Sequence, residues 1–189
     1  MFPTTLAAYS ALRARLLADP TDSHLFNSIP EYVALVCALD KTSPHLLPSA
    51  LLRLTRIVGG SMDFVFDGVQ GRSRHVYLPP HLQRALVQGR LKLSILARTA
   101  VYPELFKPST ILHCGCGRYQ GNALYLMVQD NGYVDPIKDN SQALDEFCAP
   151  CKKTLQDKAK MGRSKVWDEL PQAFGLPSWE ELTKAANTS

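Results

Sequence analysis

The stretch Cys148-Ala-Pro-Cys-Lys-Lys-Thr-Leu-Gln-Asp-Lys-Ala-Lys-Met-Gly-Arg-Ser-Lys-Val-Trp-Asp-Glu-Leu170 combines a cysteine pair with the clearest helical pattern in this sequence. Small and apolar residues recur after it at spacings of three and four, and lysines take the other positions, which predicts an amphipathic helix up to about Leu170. The residues of the predicted inward face are Leu155, Ala159, Gly162, Val166 and Leu170. Pro171 is expected to end the helix.

A second cysteine pair lies upstream, and the 31 residues from Gly117 to Phe147 separate the two pairs. A structural zinc ion takes four soft ligands in a tetrahedron, and two short segments that each supply two thiolates meet that requirement. The pattern therefore predicts one structural zinc ion, and no catalytic residues. Its predicted ligands are Cys114, Cys116, Cys148 and Cys151.

Local features around the two pairs favour the same interpretation. Gly115 and Gly117 leave the backbone free to fold tightly around an ion. Cys148 and Cys151 stand just ahead of the predicted helix, whose N-terminal amides and dipole favour thiolates. His113 is a possible replacement for one of the cysteines.

Two alternatives to a metal site stay open. The four thiols could be reduced and packed in a core, or Cys148 and Cys151 could form a redox pair, although the βαβ pattern of thioredoxin-like proteins is missing. Cys37 lies in an apolar helical stretch and is expected to pack in the core, since free cysteine is among the most buried residue types. The sequence lacks the H-x-E motif of zinc deaminases, the P-loop, G-x-S-x-G and H-E-x-x-H.

The remaining sequence predicts further helices and little sheet. We expect helices at residues 6–17, from about Ser28 to Leu39, at 46–58 and from Pro80 to about Ala100, whereas residues 62–68 could form a strand or a helical turn. The predicted fold class is mostly α, a single helical domain with a zinc-knuckle-like C-terminal subdomain. The expected division is a helical domain at 1–110 and a cysteine-pair subdomain with C-terminal helices at 111–189, packed as one unit.

Length, hydropathy and charge narrow the class of protein. The chain has 189 residues, 46% of them apolar, and no run of about 20 apolar residues that a membrane helix needs. The N-terminus lacks the basic and apolar regions of a secretory signal, so an intracellular location, cytoplasmic or nuclear, is expected. Residues 61–110 carry seven basic and three acidic side chains, which places the basic excess in the middle of the chain.

The last third resembles a known family. Cys148-Ala-Pro-Cys151, Gly162-Arg-Ser-Lys-Val-Trp-Asp-Glu-Leu-Pro171 and Phe174-Gly-Leu-Pro-Ser-Trp-Glu-Glu-Leu182 resemble the C-terminal, post-BTB region of BTB/POZ-domain proteins from basidiomycete fungi. Residues 33–40 with 46–52, and residues 78–84 with 89–93, are similar to earlier helices of that region. The BTB domain, which precedes the region in the family and mediates dimerisation and partner binding, has no counterpart in these residues, and the resemblance implies no catalytic residues.

These features together predict a non-catalytic, zinc-stabilised helical module that binds a protein partner. One alternative is an enzyme whose pocket no sequence motif reveals. A second is nucleic-acid binding through the basic side chains of Arg84, Arg90, Lys92 and Arg98, or through the lysines that follow Cys151. Nothing in the pattern indicates a membrane partner.

Overall fold

The computed structural model describes residues 29–58, 63–71, 75–107, 114–129, 132 and 134–187 of the chain. Helices account for 77% of these described residues, which confirms the prediction of a mostly α fold. The helix predicted at residues 6–17 and the possible ligand His113 lie outside the described residues.

Helices dominate the order of elements. The α-helices are α1 (Ile29–Thr42), α2 (Leu47–Val58), α3 (Asp63–Asp67), α4 (Pro80–Leu96), α5 (Pro103–Phe106), α6 (Gln120–Val128), α7 (Ala149–Asp168), α8 (Leu170–Ala173) and α9 (Trp179–Asn187). Short 3₁₀ turns occupy Pro44–Leu46, Cys116–Tyr119 and Ser141–Leu144, and Ala97–Val101 forms a single π-helical turn. Strands β1 (Val69–Gln70) and β2 (His75–Val76) form an antiparallel pair in which Val69 faces Val76.

The contacts group the chain into two compact units. One comprises the described residues up to Arg90 together with those from Glu169 onward, and the other comprises the described residues between Leu91 and Asp168. The sequence-based division near residue 110 differs from this grouping and stays a prediction.

In the first unit, α1 packs against α2 and the small hairpin. Tyr32 of α1 is buried, and its hydroxyl donates a hydrogen bond to the carbonyl of Ala50 on α2 over 3.1 Å. Farther along the chain, Gly89 of α4 lies against the buried ring of Phe174, so closely that a Cβ atom there would come within 2.0 Å of the ring. The aromatic ring therefore fills the space that a larger residue on α4 would need.

In the second unit, α7 packs against the π-helical turn. The turn contains an i→i+5 hydrogen bond, in which the Tyr102 amide donates to the Ala97 carbonyl over 2.9 Å. Gly162 allows α7 to approach this backbone, since a Cβ atom at that position would lie 2.2 Å from the carbonyl oxygen of Ala100. Four residues of the predicted inward face lie on α7 and are buried: Leu155, Ala159, Gly162 and Val166. The fifth, Leu170, begins α8 and is also buried.

Residues 63–67 are helical, which is one of the two alternatives expected for residues 62–68. The expectation for Cys37 needs correction. Cys37 is half-buried instead of lying fully in the core, because the buried face of α1 is centred near Val36, with Tyr32 and Leu39 on the same side, and Cys37 is rotated about 100° from Val36. Its thiol donates to the Tyr77 carbonyl over 3.7 Å. The inward face expected for α4 comprises Leu82, Leu86, Leu93 and Leu96; the first three are buried and Leu96 is half-buried.

Among the described residues, no helix combines the length and the apolar character needed to cross a bilayer.

Candidate metal centre

The four predicted cysteines come together in the second unit. Cys114 and Cys116 lie in the tight turn that leads into α6, and Cys148 and Cys151 lie at the beginning of α7. All four sulfur atoms lie within 4.8 Å of one another. In the described part of the chain, this is the one group of three or more histidine, cysteine or acidic side chains that converges in this way.

The distances between the sulfur atoms fit ligands that share one ion. The Sγ atom of Cys114 lies 3.3 Å from that of Cys151 and 3.5 Å from that of Cys148. A disulfide requires about 2.05 Å, so the cysteines are free thiols in this arrangement. Around a tetrahedral ion with metal–sulfur bonds of about 2.3 Å, neighbouring sulfurs are separated by about 3.8 Å. The cluster could therefore hold a metal ion with only small movements of the side chains.

The backbone between Cys114 and Cys116 has the left-handed conformation that a tight C-x-C turn needs. Gly115 has φ +76°, a value that costs a residue with a Cβ atom roughly 1 kcal/mol or more. No atom lies within 4 Å of the position where a Cβ would be, so conformation rather than space explains the glycine. The same explanation does not extend to Gly117, since it is not among the glycines with positive φ.

The second pair contributes backbone polarity as well as sulfur ligands. The amide of Cys148 donates a hydrogen bond to the Sγ atom of the buried Cys116 over 3.3 Å. Cys151 lies in the first turn of α7, where the free amides and the positive end of the helix dipole favour anionic ligands, although the neighbouring Cys114 outweighs this effect on the Cys151 pKa. Donors from one segment thus face a sulfur of the other.

The thiols influence one another's protonation. Hydrogen bonds from the side chain and the backbone of Cys116, and then from the thiols of Cys151 and Cys148, lower the pKa of Cys114 to about 6. The pKa of Cys151 is raised, because its hydrogen bond with Cys114 stabilises its protonated form. One sulfur of the cluster is therefore ionised near neutral pH while a neighbour keeps its proton.

Contacts outside the sulfur cluster hold its two segments together, and the cysteine spacing gave no indication of them. The rings of Tyr119 and Phe147 pack at a centroid distance of 6.2 Å, and Asn122 donates to Glu146 over 3.1 Å. The aromatic residues flank the cysteine pairs in sequence, which is a signal that sequence reasoning could have used.

The chain was compared with protein-family models, curated proteins and solved structures, and none of the three comparisons gave a match. The resemblance to the BTB/POZ family stays a prediction. The chemistry of the centre follows from its own residues.

Proposed function

We propose that this chain is a non-catalytic helical module in which one structural zinc ion holds the second unit together, and that the module binds a protein partner. The convergence of the four sulfur atoms within 4.8 Å is the observation that carries the proposal. Zinc is the proposed ion because four thiolates in a tetrahedron are one of its characteristic structural ligand sets.

The ligand set favours a structural over a catalytic role. Catalytic zinc keeps one coordination position open for water or substrate, whereas four protein thiolates occupy all positions of a tetrahedral ion. A zinc ion bound by all four cysteines would have no site for a reacting water molecule.

Zinc would link the turn before α6 to the start of α7. Binding of structural zinc contributes roughly 10 kcal/mol of apparent free energy in small domains, and this energy is available for folding when the unfolded chain lacks the site. The residues between the cysteine pairs include α6 and the 3₁₀ turn Ser141–Leu144. An ion that joins both ends of this segment would fix those elements against each other.

A role in protein interaction has two supports. One is that the sequence carries no catalytic motif beside a ligand set that leaves no open coordination position. The other is that α4 exposes a row of aliphatic side chains, which is developed in the next subsection.

Elemental mass spectrometry on protein purified without a histidine tag tests the zinc component. We expect one zinc per chain and a large fall in melting temperature after chelation, because the proposed ion contributes to folding. Cys148→Ser and Cys151→Ser should lose zinc and melt at lower temperature. Cys37→Ser is the matched control, since Cys37 lies outside the cluster, and it should keep its zinc.

Two results would contradict this component. Metal-free protein that melts at the same temperature with and without chelator would leave the cysteines as ordinary packed thiols. Stoichiometric iron in place of zinc would overturn the choice of ion, because four thiolates also suit iron.

A further inference from the structure

Helix α4 has a row of aliphatic side chains on its solvent-exposed side. Val87, Leu91 and Ile95 are 39%, 64% and 50% exposed, and they follow one another at intervals of four residues. Residues four apart lie on the same side of a helix, so the three side chains form a continuous apolar stripe. Aliphatic residues arranged in this way are more typical of a contact surface than scattered exposed leucines are.

Positive charge lies at both ends of the stripe. Arg84 precedes Val87 by three residues and Arg98 follows Ile95 by three, and both arginines are exposed. The Arg98 guanidinium lies over the ring of Phe106, 5.1 Å from its centroid, which holds it beside the end of α4. The sequence has no aspartate or glutamate between Asp67 and Glu104, so no acidic residue of α4 offsets this charge.

We propose that the α4 face, defined as Arg84, Val87, Leu91, Ile95 and Arg98, docks an amphipathic helix of a partner protein that carries a central apolar stripe and acidic residues at both ends. The partner's apolar side chains would cover the aliphatic stripe, and its acidic ends would pair with the two arginines. This inference rests on the proposed function as an interaction module and names the chemistry of its partner.

A small cavity lies next to one end of the α4 face. It has a volume of about 130 Å³, and its walls include Ser94, Arg98, Phe106, Leu124, Val128 and Val134. Sites for small-molecule ligands are typically larger, at about 300 Å³ or more. The cavity is therefore better suited to one side chain of a docked helix than to a free ligand.

Charge disfavours a second copy of this chain as the occupant. Two antiparallel copies of α4 that cross at Leu91 would place Arg84 of each opposite Arg98 of the other. A parallel pair would place each arginine opposite its own equivalent. Either arrangement brings like charges together without an acidic residue on α4 to separate them.

The composition of the face also disfavours nucleic acid. Phosphates bind lysine and arginine, and unpaired bases stack on aromatic rings. The centre of the α4 face consists of Val87, Leu91 and Ile95, which offer neither group. A protein helix uses the aliphatic centre as well as the charged ends.

Fluorescence anisotropy with labelled helical peptides of about 18 residues, long enough to cover the face at 1.5 Å per residue, tests the proposal on the full chain. The acidic probe is alanine-rich, with leucines at intervals of four and glutamates at both ends. The basic probe has lysines in place of the glutamates. A DNA duplex at low salt is the third probe.

We expect saturable binding of the acidic peptide and at least tenfold weaker binding of the basic one. Leu91→Gln with Ile95→Gln, and separately Arg84→Gln with Arg98→Gln, should each weaken binding of the acidic peptide about tenfold, equivalent to about 1.4 kcal/mol. Met161→Gln is the matched control, because Met161 is 76% exposed on α7, outside the α4 face, and this variant should bind like the parent.

Several results would overturn the proposal. They are the absence of saturable peptide binding, equal binding of both peptides, or unchanged binding by the Leu91/Ile95 variant. Binding of the duplex that is lost only in the arginine variant would assign the face to nucleic acid instead. Zinc content and melting temperature are measured on the same samples. Protein that contains one zinc ion but binds no peptide would refute only the proposed partner. Protein that binds the peptide but contains no zinc would refute only the proposed metal site.

Discussion

Replacing Gly162 by alanine should force α7 away from the π-helical turn. A Cβ atom at this position would lie 2.2 Å from the carbonyl oxygen of Ala100 and 2.7 Å from the Cα atom of Val101. Both neighbours belong to the backbone, so no side-chain rotation can relieve the overlap. Ordinary contacts between carbon atoms need about 3.5 Å, and the two elements would have to separate by roughly 1 Å.

Two opposing effects set the size of the change in stability. Alanine in place of glycine inside a helix contributes about 1 kcal/mol in favour of folding. Overpacking costs up to about 3 kcal/mol, and we take the upper end because the obstacle is backbone. The expected net result is a loss of about 2 kcal/mol in the free energy of unfolding.

Gly121→Ala is the matched control for this substitution. Gly121 lies in the first turn of α6, and no atom lies within 4 Å of its potential Cβ position. The alanine should be neutral or stabilise the protein by up to about 1 kcal/mol.

Urea unfolding of the zinc-loaded protein, followed by far-ultraviolet circular dichroism, measures both variants. With a slope of about 2 kcal/mol per molar urea, Gly162→Ala should lower the unfolding midpoint by about 1 M, whereas Gly121→Ala should leave it unchanged or raise it. A Gly162→Ala midpoint equal to or above that of the parent would refute the close packing of α7 on the π-helical turn.

Two other properties can be tested directly. In metal-free protein, iodoacetamide should modify Cys114 with a midpoint near pH 6, because hydrogen bonds, those from Cys116 foremost, lower its pKa to about 6. Cys37 should react only at clearly higher pH, because burial raises its pKa. Peptide mass mapping measures both reactions, and equal pH profiles of the two cysteines would contradict the prediction. Lys158 is paired with Glu104, a carboxylate that is only 8% exposed and whose Oε2 atom has no hydrogen-bond partner. Lys158→Met removes this cation and should lower the free energy of unfolding by about 2 kcal/mol. The value is below the range for a fully buried pair because the lysine is half-exposed. Adding Glu104→Gln should restore part of that loss in urea unfolding, and a double variant no more stable than Lys158→Met would contradict the pairing.

The helix at residues 149–168 shows what the sequence can predict. Apolar residues at spacings of three and four identified its inward face, and the described helix begins three residues before and ends two residues before the predicted bounds, so that it includes Cys151. Periodicity succeeds here because the burial of one helix face follows directly from the order of side chains. The meeting of the two cysteine pairs was also predictable, since thiolates at these spacings suit one ion.

Other features depend on contacts between distant segments. Gly162 fits the inward face of α7, but its partner, the backbone of the π-helical turn, cannot be identified from helical periodicity. The pairing of Glu104 with Lys158 joins residues far apart in sequence, each of which alone resembles an ordinary surface charge. Cys37 lies in an apolar stretch, and only the packing of α1 decides which of its neighbours face inward.

The four sulfur atoms differ in their access to solvent, and this difference bears on how quickly a bound ion could be replaced. Cys116 is buried and its sulfur accepts the Cys148 amide, whereas Cys114 and Cys148 are exposed. An ion held here would be open to attack from one side, where small thiols or an ion-carrying protein could displace the exposed ligands one at a time. Tight equilibrium binding and rapid exchange would then coexist in one centre, since the buried ligand retains the ion while the exposed ligands set the rate.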